Sequence, residues 1–158
     1  MIVALYVAVW SQRVKLRGWW GRRSIVYEGS RDKLDVIAVS ATNISPRPTT
    51  VTNVVFSYGV WRWKRYYFVK FMRGGPSDLP ALLTDGQPAT WYIPMGKENQ
   101  WARELVNELK LTRFDVATLK VNIQTSNGGT TVIRPDKDFR DTLMALVEEK
   151  KTAKALAE

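Results

Sequence analysis

Two groupings of cations and aromatic rings carry the chemistry legible in this chain of 158 residues. The first comprises Trp10, Arg13, Lys15, Arg17, Trp19, Trp20, Arg22 and Arg23. The second is the run Trp61-Arg62-Trp63-Lys64-Arg65-Tyr66-Tyr67, with Lys70 three residues further on. Guanidinium and ammonium groups neutralise phosphates, and the flat faces of Trp and Tyr stack on unpaired bases. The same residue types also hold a protein at an anionic bilayer. There Trp favours the head-group level, and each cation contributes about 1 kcal/mol. Both groupings lie in a basic half. Residues 1–77 carry thirteen Lys and Arg against three acids, Glu28, Asp32 and Asp35, whereas residues 78–158 carry eleven against twelve. The net charge of +9 thus belongs to the first half, and no acid occurs between Asp35 and Asp78. A field of that sign selects anionic partners.

Catalytic chemistry has little to work with. The chain contains no His and no Cys, which removes the commonest general base, the thiolate nucleophile and the usual transition-metal ligands. The absence of Cys also fits a reducing compartment, so a cytoplasmic protein is expected. Glu104 and Glu108, four residues apart, read as solvated charges on a helix. Asp136, Asp138 and Asp141 lack calcium-loop spacing and suit the positive end of a helix. Gly74-Gly75-Pro76 lacks the Gly-Lys-Ser/Thr ending of a phosphate loop. Arg47, set between Pro46 and Pro48, is either a presented side chain or a loop residue that satisfies nearby carbonyls. Asn43-Ile44-Ser45 spells a glycosylation sequon only. No enzymatic activity, metal or cofactor is expected.

The elements that must position the two groupings are mostly strands. Residues 1–10 form an apolar run. As a helix it would be about 15 Å long, half the roughly 30 Å of a bilayer core. It lacks the basic flank and cleavage site of a signal peptide. Three readings stay open: a buried β-strand, the cytoplasmic end of a truncated membrane helix, or an interfacial anchor. Arg13–Arg17 alternates as an edge strand does, and Ser24–Tyr27 reads as a short strand before a turn at Gly29–Asp32. Lys33–Thr42 and Thr49–Tyr58 are core strands, rich in Val and Thr, on either side of a proline loop. Val60–Met72 alternates as one long strand, with a bend expected near Arg65. Trp61, Trp63, Tyr67, Val69 and Phe71 share one face, and Arg62, Lys64, Tyr66, Phe68 and Lys70 share the other. That strand has two readings. Either Arg62, Lys64, Arg65, Tyr66 and Lys70 form a nucleic-acid face, or Trp61, Trp63, Tyr67 and Phe71 fill the core and the cations are merely solvated. Arg73–Pro88 reads as a loop and Ala89–Ile93 as a strand. Lys97–Leu111 has helical period, and Asp115–Thr125 returns to alternation. Asn127-Gly128-Gly129 is a hairpin turn before a strand at Thr130–Arg134. A helix over Asp138–Glu149 and a frayed tail complete the chain.

Strands with turns about every ten residues indicate an antiparallel β-sandwich. The stretch Asp35–Tyr58, with its Thr-Asn, Arg-Pro and Thr/Val-rich order, and the later Leu79-Pro80, Leu82 and Asp85-Gly86, resemble a pattern of small bacterial and prophage proteins of unknown function. The resemblance spans roughly residues 10–135. It implies a membrane segment followed by an immunoglobulin-like sandwich, and it transfers no binding residues. The helix at Lys97–Leu111 is extra to that pattern. The expected organisation is therefore an apolar segment at 1–12, an immunoglobulin-like sandwich with one inserted amphipathic helix over 13–135, and a C-terminal helix and tail over 136–158. The expected function is a non-enzymatic binding or adaptor module. It would lie against the inner membrane surface through residues 1–23, with the first grouping making the contact. The alternatives are nucleic-acid binding through residues 60–72, or a phage-encoded protein that binds another protein.

Overall fold

The computed structural model describes residues 14–26, 33–73 and 75–157, and the side chains as far as Leu156. The apolar run at 1–10, Trp10, Arg13 and the turn at Gly29–Asp32 lie outside the described residues. The chain is mainly β, and its described residues form two antiparallel sheets and three α-helices. Strands β1 (Leu16–Val26), β2 (Lys33–Asn43) and β6 (Pro88–Pro94) form one sheet in the order β1-β2-β6. Strand β3 (Thr49–Tyr58) centres the other. Its one edge pairs with β7 (Lys120–Thr125), which pairs in turn with β8 (Thr130–Ile133). Its other edge takes β4 (Arg65–Phe68) at one end and β5 (Ala81–Leu83) at the other. The β7–β8 turn uses Gly128 at φ 80°, a conformation that costs glycine little.

The sheets meet at two seams. On one side the Asp136 amide donates to the Trp20 carbonyl at 3.0 Å. There Gly18 lets β1 approach β8: a Cβ on it would come within 2.1 Å of Ile133 Cδ1 and 2.8 Å of the Ser40 carbonyl. On the other side the Met72 amide donates to the Tyr92 carbonyl at 2.8 Å. Asn43 ties the loop ends together. Fully buried, it donates through Nδ2 to the carbonyls of Arg47 and Leu83 and accepts from Ser45. The sequon side chain is thus consumed inside the fold, and Arg47 contributes its carbonyl while its side chain faces solvent.

Helices α1 (Gln100–Glu108) and α2 (Arg113–Thr118) join β6 to β7, and α3 (Lys137–Ala157) follows β8. Four expectations change here. Val60–Met72 is not one strand: Trp61–Trp63 forms a 3-10 turn, and β4 covers only four residues. The segment at 113–118 is helical because Thr112 and Asp115 form a reciprocal capping box, which overrides the alternation of Ala117 and Leu119. Two helices are therefore inserted, where one was expected. Residues 81–83 of the long loop pair with β3, and α3 continues to Ala157 through the tail expected to fray. Asp136 caps α3, accepting from the Phe139 amide at 2.9 Å.

The core is held by four rings. Trp20 of β1 packs 4.9 Å from Phe56 of β3 and 5.1 Å from Phe139 of α3. Trp101 of α1 stands 6.1 Å from Phe56 and 6.2 Å from Phe139. The group joins both sheets and two helices. Trp20→Ala is expected to cost about 3–5 kcal/mol, the range for emptying a packed Phe or Trp site. Urea unfolding measures it, and a loss below about 1 kcal/mol, the size of an ordinary substitution, would contradict this packing.

Candidate aromatic and cationic surface

The β3–β4 hairpin carries the largest exposed aromatic group among the described residues. Trp61 is 91% exposed, Trp63 79%, Phe68 71% and Tyr66 57%. The expectation that Trp61 and Trp63 fill the core therefore fails. The 3-10 turn interrupts the alternation and rotates both rings outward. Gly59 sets up that turn at φ 81°, where a Cβ would lie 2.5 Å from the Trp63 carbonyl. Its amide donates to Thr118 Oγ1 at 2.9 Å, which anchors the hairpin to α2. The Trp63 amide closes the turn on the Val60 carbonyl at 3.0 Å. Trp61 itself sits at φ 46°, a left-handed conformation that is costly for a bulky side chain.

Alternation resumes along β4 and divides its two faces. Tyr67, Val69 and Phe71 pack on the core. Tyr66 and Phe68 take the opposite, outer face. Cross-strand register aligns Phe68, Val55, Asn122 and Val132 in one row over four strands, and Tyr66, Ser57 and Lys120 in the next. Between the rows, Asn122 Nδ2 donates to Ser57 Oγ at 2.7 Å. Val55, Ser57 and Asn122 are buried in these rows, and Phe68, Tyr66 and Val132 are their exposed members. Lys64 Nζ lies 5.1 Å from the Tyr66 ring centroid. Arg62, Lys64, Arg65 and Lys70 are all exposed, and none forms an ion pair with a described residue. Of the five sequence-derived positions, Lys64 and Tyr66 fall together, Arg62 is the middle residue of the turn, Arg65 opens β4, and Lys70 lies past its end on the lining of the neighbouring cleft. The two Trp side chains were missed as surface residues because strict alternation places them inward, whereas it does put Phe68 on the outer face, where the structure has it.

The core side of β4 has the opposite character. A cleft of about 580 Å³ lies between Tyr67, Trp101, Glu104 and Glu108, with Phe68 and Lys70 also on its lining. Tyr67 donates its hydroxyl to Glu108 Oε2 at 3.1 Å, and burial pushes the phenol above its ordinary value of 10.0, with the Glu108 hydrogen bond adding to the rise. Glu104 accepts from Gln100. These carboxylates border the cationic surface and repel phosphates from the cleft.

The first grouping is taken apart by the fold. Trp20 is 1% exposed and belongs to the core, so it cannot meet a membrane or an anion. Arg22 pairs with Asp35 at 2.5 Å. Arg23 stacks 4.4 Å above the Trp19 ring and lies 3.8 Å from Asp136. Lys15, Arg17 and Trp19 stay on the surface, Trp19 at 41% exposure. Register explains the pairing, since Ser24 lies directly opposite Asp35. Among the described residues no group of acids could hold a metal ion, and no helix is long and apolar enough to cross a membrane.

The Arg22 pairing gives a pH signature. The Ser24 hydroxyl first, and then Arg22, hold the Asp35 carboxyl below its ordinary 3.8. A depressed folded-state pKa contributes stability above the unfolded value, and the contribution is lost as pH falls through the folded value. The stability gap between the wild type and Asp35→Asn should therefore be full at neutral pH and shrink below about pH 4. Urea titrations at several pH values measure it; a gap that stays constant into acid would contradict the pairing. No protein-family model matches this chain, and the curated proteins contain no match to it.

Proposed function

We propose that this chain is a non-enzymatic binding module whose β3–β4 hairpin and adjoining outer sheet face bind single-stranded nucleic acid. The observation that carries the reading is the hairpin itself. Trp61 is held in a left-handed conformation, almost fully exposed, and Arg62, Lys64 and Arg65 follow it in the hairpin with no ion pair to a described residue. Nothing in the packing of the core requires a Trp there, and strain combined with apolar exposure is a cost that binding offsets. A single strand alternates charged phosphates with flat bases, and this surface alternates Trp61, Arg62, Trp63, Lys64, Arg65 and Tyr66. Lys120, half-buried and in register with Ser57 and Tyr66, adds a cation to the sheet face. The scaffold reading is an immunoglobulin-like sandwich. Taken in chain order as A, B, C, C′, E, F and G, strands β1, β2, β3, β4, β6, β7 and β8 divide between the sheets as A-B-E and C′-C-F-G.

A second reading, peripheral attachment to an anionic inner-membrane surface, draws on Arg17 and the exposed Trp19 of β1. It has lost Trp20 to the core, and Arg22 and Arg23 to acids.

Fluorescence anisotropy with single-stranded oligonucleotides of mixed sequence tests the first reading. Four cations on phosphates give a slope of log K against log salt of about −3 for a single strand. Trp61→Ala and Trp63→Ala should each weaken binding about tenfold or more, from roughly 1–3 kcal/mol per stacked base. Arg62→Glu with Lys64→Glu should abolish it. Binding that ignores both salt and these changes would refute the proposal. Sedimentation with anionic vesicles but no oligonucleotide binding would favour the second reading instead.

A further inference from the structure

A second cationic site lies at the far end of the chain, in the half whose charges nearly cancel overall. A groove of about 720 Å³ runs between the α1–α2 connection and the C-terminal half of α3. Its apolar lining comes from Leu111 and Val147, which are 4% and 7% exposed, and from Phe114, which is 57% exposed. The Thr112–Asp115 capping box fixes the helix that presents Phe114. Lys110, Arg113, Lys150, Lys151 and Lys154 line it too, against one acid, Glu148. That acid is engaged by Arg113 at 3.3 Å. Lys150 Nζ donates to the Val106 carbonyl at 3.3 Å, which holds an ammonium at the groove without neutralising it. Counting by halves averages this cluster away, although Lys110, Lys150 and Lys151 form no ion pair with a described residue.

We propose that this groove binds a long-chain fatty acid, with its tail on Leu111, Phe114 and Val147 and its carboxylate between Lys110 and Lys151. Charge decides the head group: cations outnumber acids five to one around an apolar floor. Size decides the ligand class, since the volume falls within the roughly 300–1,000 Å³ of small-molecule sites. The apolar floor is one patch of three side chains, not the row of i, i+3/i+4 and i+7 sockets that a docked helix occupies. Lysine stems extend the apolar wall while their ammonium groups stay in water.

Isothermal titration with laurate below its micelle-forming concentration tests this, with dodecyltrimethylammonium as the matched cation. Laurate should bind one to one, and the cation at least about tenfold more weakly, because the rim repels it. Lys110→Glu with Lys151→Glu should abolish laurate binding, and Lys110→Gln with Lys151→Gln should weaken it at least about tenfold while the melting temperature stays near that of the wild type. Arg62→Glu with Lys64→Glu, on the hairpin, should leave laurate affinity unchanged. Equal affinity for both amphiphiles would overturn the proposal, as would undiminished binding by the folded Gln pair or no laurate binding at all.

Discussion

The contact between Trp20 and Phe139 governs much of this fold. Trp20 comes from the edge strand of one sheet, Phe139 from the first turn of the last helix, and their rings lie 5.1 Å apart with Phe56 and Trp101 against them. Aromatic pairs of this kind bury large areas and add about 0.5–1.5 kcal/mol through their edge-to-face geometry. Here they also settle topology. With Trp20 turned inward, β1 lies along the β8 seam, and its backbone carbonyl accepts from the Asp136 amide. Asp136 in turn caps α3 and stands 3.8 Å from Arg23. One ring placement thus fixes the strand, the helix start and the neutralisation of an arginine.

That placement redistributes the basic half of the chain. Arg22 and Arg23 of β1 are drawn into pairs with Asp35 and Asp136, the acids that sheet register and helix start bring beside them, while Arg17 stays on the surface. The cations of the hairpin form no ion pair with a described residue, and the segment from Asp35 to Asp78 supplies no acid of its own. Within the basic half the hairpin therefore keeps its charge, where Gly59 and Thr118 brace a turn that turns two indoles outward. The carboxylates that do approach β4, Glu104 and Glu108, lie on its core side with Tyr67. Phe68 and Lys70 line the same cleft, so the acidic cleft adjoins the cationic aromatic surface at the end of β4.

Sequence patterning reveals the parts of this arrangement that depend on local order. The β-branched runs of β2 and β3, the Asn-Gly-Gly turn and the helical period near Trp101 are all legible, because each reflects contacts a few residues apart. The cations at 62, 64, 65 and 70 are legible as well, since nothing nearby balances them. Trp61 and Trp63 are not: in an alternating run they look like core residues, and only the 3-10 turn sends them out. Trp20 is the converse, a ring set among arginines whose burial depends on Phe139, far along the chain. The short helix at 113–118 is hidden by alternation, although Thr112 and Asp115 carry its capping signal. The groove beside Phe114 is hidden because Lys110 and Lys151 are brought together only by tertiary packing.

Two-dimensional NMR of the seven indole N–H groups, titrated with a single-stranded oligonucleotide, addresses the proposed contact most directly. The account predicts that the Trp61 and Trp63 signals shift and broaden while those of Trp20 and Trp91, each 1% exposed, stay in place. Shifts confined to Trp19, or an absence of shifts at Trp61 and Trp63 under saturating oligonucleotide, would contradict it.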